Sequence, residues 1–191
     1  NTYGWRHSGI QLNAYLADLN RSCAAIHAAD VQAYVMPEKD EIIQRKLASA
    51  VGKGVKQIEL ISYGPAYASP DNWSHTLSQV ECVAKFGRKL GKAEEVLYPG
   101  KPRKAEVAIV WSGSNEIWRD SLATIYNRHY VYFGLLHQQI PIDFIDEIEI
   151  EAGGLKDYKV IYLTSQYLRQ ETQEALAAWV QEGGNLWTDV F

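Results

Sequence analysis

Cysteine is scarce: Cys23 and Cys82 are the only two in 191 residues. With nothing of metal-ligand spacing around them they define neither a disulfide framework nor a zinc site. Both fall on the apolar faces of expected helices, so they read as small buried hydrophobes and leave the compartment open. Long apolar runs are missing too. None approaches the roughly eighteen residues that cross a bilayer, and the first residues lack the pattern of a signal peptide. The chain opens on Asn1 rather than Met, which leaves a removed leader or a longer parent chain as readings. Charge of one sign is not concentrated anywhere. The formal net charge is −4, and without a Lys/Arg tract there is no electrostatic footprint for nucleic acid. The most basic stretch, Lys101-Pro-Arg-Lys104, reads as a solvated linker.

Catalytic signatures are missing as well. Trp111-Ser-Gly-Ser-Asn115 has one glycine in five residues, matching neither G-x-G-x-x-G nor a Walker loop, and reads as an ordinary helix entry. No Gly-x-Ser-x-Gly or Gly-x-Cys-x-Gly occurs, which excludes a nucleophile elbow. His7, His27, His129 and His137 show no metal spacing, and the residues call for neither a metal nor a cofactor.

What is present is a folded composition, 47% hydrophobic and 22% charged, and a legible α/β pattern. From Glu106 onward, short β-branched and aromatic runs (Glu106–Trp111, Ile142–Ile145, Lys159–Thr164 and Asn185–Phe191) read as strands. A helix beginning at Ser114 or Asn115, and a second from Thr172 to Gln181, fill two of the three gaps between them. This alternation argues for parallel βαβ units in a doubly wound sheet. The five acidic residues between Asp143 and Glu151 read as a solvated strand end and loop.

The first half reads helix, strand, helix, strand, helix. Leu12, Tyr15, Leu16, Leu19, Cys23 and Ile26 recur at helical spacing over Ile10 to Ala28. Val31–Met36 follows as a strand stopped by Pro37. Asp40 caps a helix carrying Ile42, Ile43, Leu47, Ala50 and Val51, which Gly52 and Gly54 end. Lys56–Tyr63 is the second strand, and a last helix runs from about Trp73 to Gly91. That order is the repeat of a (β/α) barrel or another parallel α/β layer. Two strands cannot close a barrel, so further strands are expected from another chain or from upstream of Asn1. Tyr98-Pro-Gly-Lys-Pro-Arg103 forbids regular structure and divides the chain into residues 1–98, a linker 99–104, and a second domain 105–191.

Glu38 is the carboxylate of interest, because it follows a parallel strand at its carboxyl end, where barrels place catalytic groups. A retaining glycosidase uses such a carboxylate as nucleophile, with a second acid about 5 Å away. The alternative is a surface residue beside Lys39, Asp40 and Glu41. Tyr63, Tyr67 and Trp73 follow the second strand on the same expected face and suit stacking on the apolar C–H faces of a sugar, or plain packing. His75 is a site or surface residue.

The order of parts resembles the later portion of a glycoside hydrolase family 42 β-galactosidase. Tyr15-Leu-Ala-Asp-Leu-Asn-Arg-Ser22 with Tyr34-Val-Met36, Ala48–Ile58, Val107–Trp111, Tyr158–Leu163 and Ala178–Leu186 carry the likeness. The resemblance implies the terminal βα units of a (β/α)8 barrel followed by a flavodoxin-like trimerisation domain similar to class I glutamine amidotransferases. It implies a carbohydrate substrate, a homo-oligomer (a trimer), and Glu38 as nucleophile, with Tyr63, Tyr67 and Trp73 as substrate contacts. Here Met36 is followed by Pro37 before Glu38, one residue later than in the family. The family's acid/base Asn-Glu pair has no counterpart, so the chain alone is expected not to hydrolyse glycosides. A non-catalytic oligomerisation or ligand-binding module is the other reading.

Overall fold

The computed structural model describes residues 9–35, 40–60, 76–119 and 122–189. It is an α/β protein with parallel sheets, in two compact units, Asn1–Pro102 and Arg103–Phe191.

Unit 1 contains α1 (Gly9–Ala25), β1 (Gln32–Val35), α2 (Asp40–Gly52), β2 (Gln57–Leu60) and α3 (Leu77–Leu97). The two strands pair in parallel, from Gln32↔Gln57 to Val35↔Leu60. A parallel connection has to cross back over the sheet, and α2 is the helix that does so. One sheet face is apolar. Ala33 packs with Ala17 of α1 and Ala50 of α2, while Val35 packs with Ile43, Leu47 and Cys82. By strand alternation the other face presents Gln32, Tyr34, Gln57 and Glu59, and the Nε2 of Gln32 donates to Glu59 at 2.6 Å.

The helices depart from the apolar periodicity in two places. In α1 the buried stripe is Asn13, Ala14, Tyr15, Ala17, Asp18 and Ser22, whereas Cys23 and Ile26 are exposed. The expectation that Cys23 is buried is therefore corrected. Asp18 can take a buried position because its carboxylate accepts from Arg21 at 3.2 Å and from Lys53 at 2.5 Å, two cations that neutralise it in place. Helix α3 continues six residues past Gly91, where the sequence reading ended it. A glycine inside an exposed helix costs only about 1 kcal/mol, and this helix end is gripped by the Nζ of Lys56. That ammonium donates to the carbonyls of Leu97, Tyr98 and Gly100 at 3.2, 2.5 and 2.7 Å, where the helix dipole favours a cation. Gly54, in the turn after α2, has φ +82, and a Cβ there would stand 2.6 Å from Pro102, so only glycine fits.

Unit 2 contains β3 (Val107–Trp111), α4 (Gly113–Trp118), α5 (Leu122–His137), β4 (Ile142–Asp146), α6 (Glu147–Glu151), a 3₁₀ turn (Gly154–Asp157), β5 (Val160–Leu163), α7 (Gln170–Gln181) and β6 (Asn185–Thr188). The sheet order is β4-β3-β5-β6, all parallel. Ala108 and Val110 of β3 join Ile145, Ile150, Ile161 and Leu176 in one core. Ile109 alternates to the opposite face in register with Phe144, whose ring stacks on Tyr132 of α5 at 5.9 Å. Because β3 is covered on both faces, it reads as a continuous apolar run.

Two expectations for this unit are corrected. The single helix after β3 is two helices, and Ser112, not Ser114 or Asn115, caps the first. The acidic stretch is not a solvated loop. Asp146 ends β4 and caps α6, its Oδ1 accepting the N–H of Glu149 at 2.7 Å while the Oε2 of Glu149 accepts the N–H of Asp146 at 3.1 Å. That capping box lets the acids line the start of a helix, where the dipole favours them.

Candidate functional site

Glu38, Tyr63, Tyr67, Trp73 and His75 lie outside the described residues, so only the strands that lead to them are described. Val35 and Leu60 are register partners at the carboxyl ends of β1 and β2; Glu38 and Tyr63 each stand three residues further along the chain. Unit 1 also holds a cavity of about 450 Å³. It lies at the amino end of β2, among Val51, Val55, Lys56, Leu90, Leu97 and Tyr98. It is thus at the opposite end of β2 from Leu60, and the Nζ of Lys56 is already engaged by the carbonyls of Leu97, Tyr98 and Gly100.

In unit 2 the best-defined polar arrangement lies where the sheet changes winding direction. From β3 the chain moves to β4 on one side and then crosses to β5 on the other, so the carboxyl ends of β3 and β5 are the topological switch point. The two loops there are joined by side chains. The Oγ of Ser112 accepts the N–H of Asn115 and donates to the carbonyl of Tyr167, both at 2.9 Å. The Oδ1 of Asn115 accepts the N–H groups of Gln166 at 2.9 Å and Tyr167 at 3.3 Å. Glu147, at the start of α6, accepts the N–H of Ser114 on one oxygen at 3.0 Å and that of Arg169 on the other at 2.8 Å. Ser112, Asn115 and Glu147 are all buried.

The electrostatics follow from those contacts. Burial pushes the Glu147 carboxyl up, but the N–H groups of Arg169 and Ser114 outweigh it and hold the group below the ordinary glutamate value. Glu149 is held above it, mainly by burial and also by the charges of Asp146 and Asp143. His129, on α5, is held below the ordinary histidine value by burial and then by Arg128. Arg128 is itself buried and pairs with Glu116 at 2.8 Å, tying α5 to α4. Glu151 accepts from Thr172 at 2.6 Å and pairs with Arg169 at 3.0 Å, which anchors the start of α7.

Chemically this arrangement holds loops in place. Both oxygens of Glu147 carry backbone N–H groups, the Asn115 oxygen carries two more, and the Ser112 proton points at a carbonyl. Among the described residues no group of three or more His, Cys, Asp or Glu is placed to hold a metal ion, and no helix is long and apolar enough to cross a membrane. The sequence reading passed over Ser112, Asn115 and Glu147 as functional positions. Only the Asp146-x-x-Glu149 spacing marked a helix start that would have drawn Glu147 into the fold. Comparison of the chain with known family models and with curated proteins finds no match to either.

Proposed function

We propose that the chain is part of a retaining glycoside hydrolase of the family 42 type, acting on β-galactosides or related glycosides. In this reading unit 1 is a pair of βα repeats from a (β/α)8 barrel, and unit 2 is a flavodoxin-like domain through which a homo-oligomer, a trimer by resemblance, assembles. The observation that carries it is the two-faced β1–β2 pair. Its apolar side is covered by helices in the order of barrel repeats, and its opposite side, the lumen side of a barrel, is polar. Glu38 shares the sequence parity of Gln32 and Tyr34 on that polar side, which supports it as the nucleophile despite the intervening Pro37. Tyr63, Tyr67 and Trp73 are the proposed sugar contacts. In unit 2 the order β4-β3-β5-β6 is the flavodoxin-like order for the first four strands of a sheet.

The test is hydrolysis of an aryl β-galactoside by this chain and by the continuous reading frame that includes whatever precedes Asn1. The chain alone is expected to be inactive, for want of an acid/base residue. The longer product is expected to turn over, and Glu38→Gln to lower its kcat by roughly 10³-fold or more, as removal of a covalent nucleophile does. Activity that is indifferent to Glu38→Gln would sink the assignment.

A second reading, a non-catalytic oligomerisation or ligand-binding module, is favoured by the side-chain oxygens of Ser112, Asn115 and Glu147 at the switch point, which are occupied by the chain's own backbone N–H groups. Inactivity of the longer product, with a defined oligomer by light scattering, would select it.

A further inference from the structure

Open α/β sheets bind ligands in the crevice outside the carboxyl ends of the strands at which the winding reverses. In unit 2 the winding reverses between β3 and β5, and the loops that follow these two strands carry groups whose hydrogen bonding is incomplete. Asn115, Thr164 and Ser165 are 1%, 3% and 3% exposed. The Nδ2 of Asn115 and the hydroxyls of Thr164 and Ser165 have no hydrogen-bond partner. Buried polar atoms are almost always paired, and a cluster of exceptions calls for a partner. Burial of three in residues joined through one pair of loops, at the place where this architecture receives ligands, brings two independent observations together.

The same loops carry an exposed rim. Tyr167, whose N–H lies on the Asn115 oxygen, is 48% exposed, and Trp118 is 76% exposed. Trp118 follows Asn115 by three residues in α4, so the two are neighbours on the helix surface. The segment from Gln166 to Arg169 is held over the polar floor by three side chains, those of Ser112, Asn115 and Glu147. Exchange of those few hydrogen bonds would uncover the floor without breaking a strand pairing.

We propose that the loops after β3 and β5 form a gated binding site for a small, neutral, hydroxyl-bearing molecule, with Asn115, Thr164 and Ser165 as its floor and Trp118 and Tyr167 as its rim. The match is chemical. An amide NH₂ and two hydroxyls pair with sugar hydroxyls, which both donate and accept. Exposed aromatic faces cover the apolar C–H face of a pyranose. The Glu147 carboxylate, bonded to the N–H of Ser114 beside Asn115, repels an anion. Because every residue named lies in unit 2, this site is independent of the role proposed for Glu38.

The experiment is a titration of the ¹⁵N-labelled full chain with D-galactose, and with D-galacturonate as the anionic analogue of the same size. Saturable shifts are expected in the Asn115 side-chain amide and in the backbone amides of Gln166 and Tyr167, at millimolar affinity. D-Galacturonate is expected to bind more weakly. Thr164→Val removes one unpaired hydroxyl at nearly constant shape and is expected to weaken galactose binding about fivefold, the equivalent of one hydrogen bond. Trp118→Ala alters an exposed residue and is expected to weaken it comparably. Glu38→Gln is expected to leave the shifts unchanged, which separates this site from the barrel. Absence of shifts at those three residues, preference for the anion, or binding indifferent to both Thr164→Val and Trp118→Ala would each overturn the proposal.

Discussion

The Oδ1 of Asn115 accepts the backbone N–H of Gln166 at 2.9 Å, so a side chain at the entry of α4 ties down the loop that follows β5. The same oxygen holds Tyr167, and one amide thereby fixes two successive residues of a strand-to-helix connection. Such connections have no ladder of their own, and a buried side chain substitutes for it.

Replacement of Asn115 tests this tie. Asn115→Ala removes the acceptor of two N–H groups and is expected to destabilise unit 2 by about 2 kcal/mol, since an unmade buried hydrogen bond costs roughly 1–3 kcal/mol. Urea unfolding followed by near-UV circular dichroism would measure it. Loss below about 0.5 kcal/mol, the range of an ordinary surface change, would show that the loop is held by other contacts.

Glu147 makes the stability of unit 2 depend on acid. Its folded pKa is lowered, with burial opposed and outweighed by the N–H groups of Arg169 and Ser114. Its contribution is therefore present above the ordinary glutamate value and disappears as pH falls through the lowered one. Glu147→Gln leaves one N–H without its carboxylate oxygen and is expected to cost about 1–3 kcal/mol at neutral pH, and to flatten the acid limb of the stability profile. Glu149 has the opposite sign. Its folded pKa is raised, so stability gained at low pH is lost as pH rises through that value. Glu149→Gln retains a capping acceptor and is expected to raise stability at neutral pH. A variant pair that moves the profile the same way would contradict the assignment.

Glycine positions differ in a way that thermal melts can read. A Cβ on Gly184, which leads into β6, would stand 2.3 Å from two indole carbons of Trp179. Gly184→Ala is expected to destabilise by about 1–3 kcal/mol, the usual cost of overpacking. Gly113, the first residue of α4, has open space where a Cβ would stand, and Gly113→Ala is expected to be neutral or stabilising by a few tenths of a kcal/mol. Equal effects of the two would discredit the packing around Trp179.

The two thiols are expected to react at different rates. Cys23 is exposed on α1, whereas Cys82, on α3, is buried against Val35, Ile43 and Leu47. Under native conditions a thiol reagent should modify one cysteine promptly and the second only on unfolding. Prompt modification of Cys82, identified by peptide mapping, would mean that α3 does not pack on Ile43 and Leu47 of α2.

Strand identity was legible because β3, β4 and β5 are short runs of apolar, often β-branched residues flanked by polar ones, and such runs are buried on both faces wherever a parallel sheet forms. The helix faces of unit 1 were less so. Of the expected stripe Tyr15 is buried, Leu12, Leu16 and Leu19 are part-buried, and Cys23 and, past the end of α1, Ile26 are exposed, whereas Asp18 and Ser22 are inside. Periodicity counts apolar residues, whereas burial of Asp18 depends on Lys53, thirty-five residues away. The end of α3 escaped for the same reason, since Lys56, which holds its last carbonyls, comes from before β2.

By itself, then, the sequence determined the element types and the parallel α/β class, because these depend on local propensity and on the period of apolar residues. Only the tertiary structure decided which polar residues are inside. Asn115, Glu147 and Asp18 are buried because partners distant in the chain complete their hydrogen bonds or neutralise their charge, and that pairing exists only once the strands are in register.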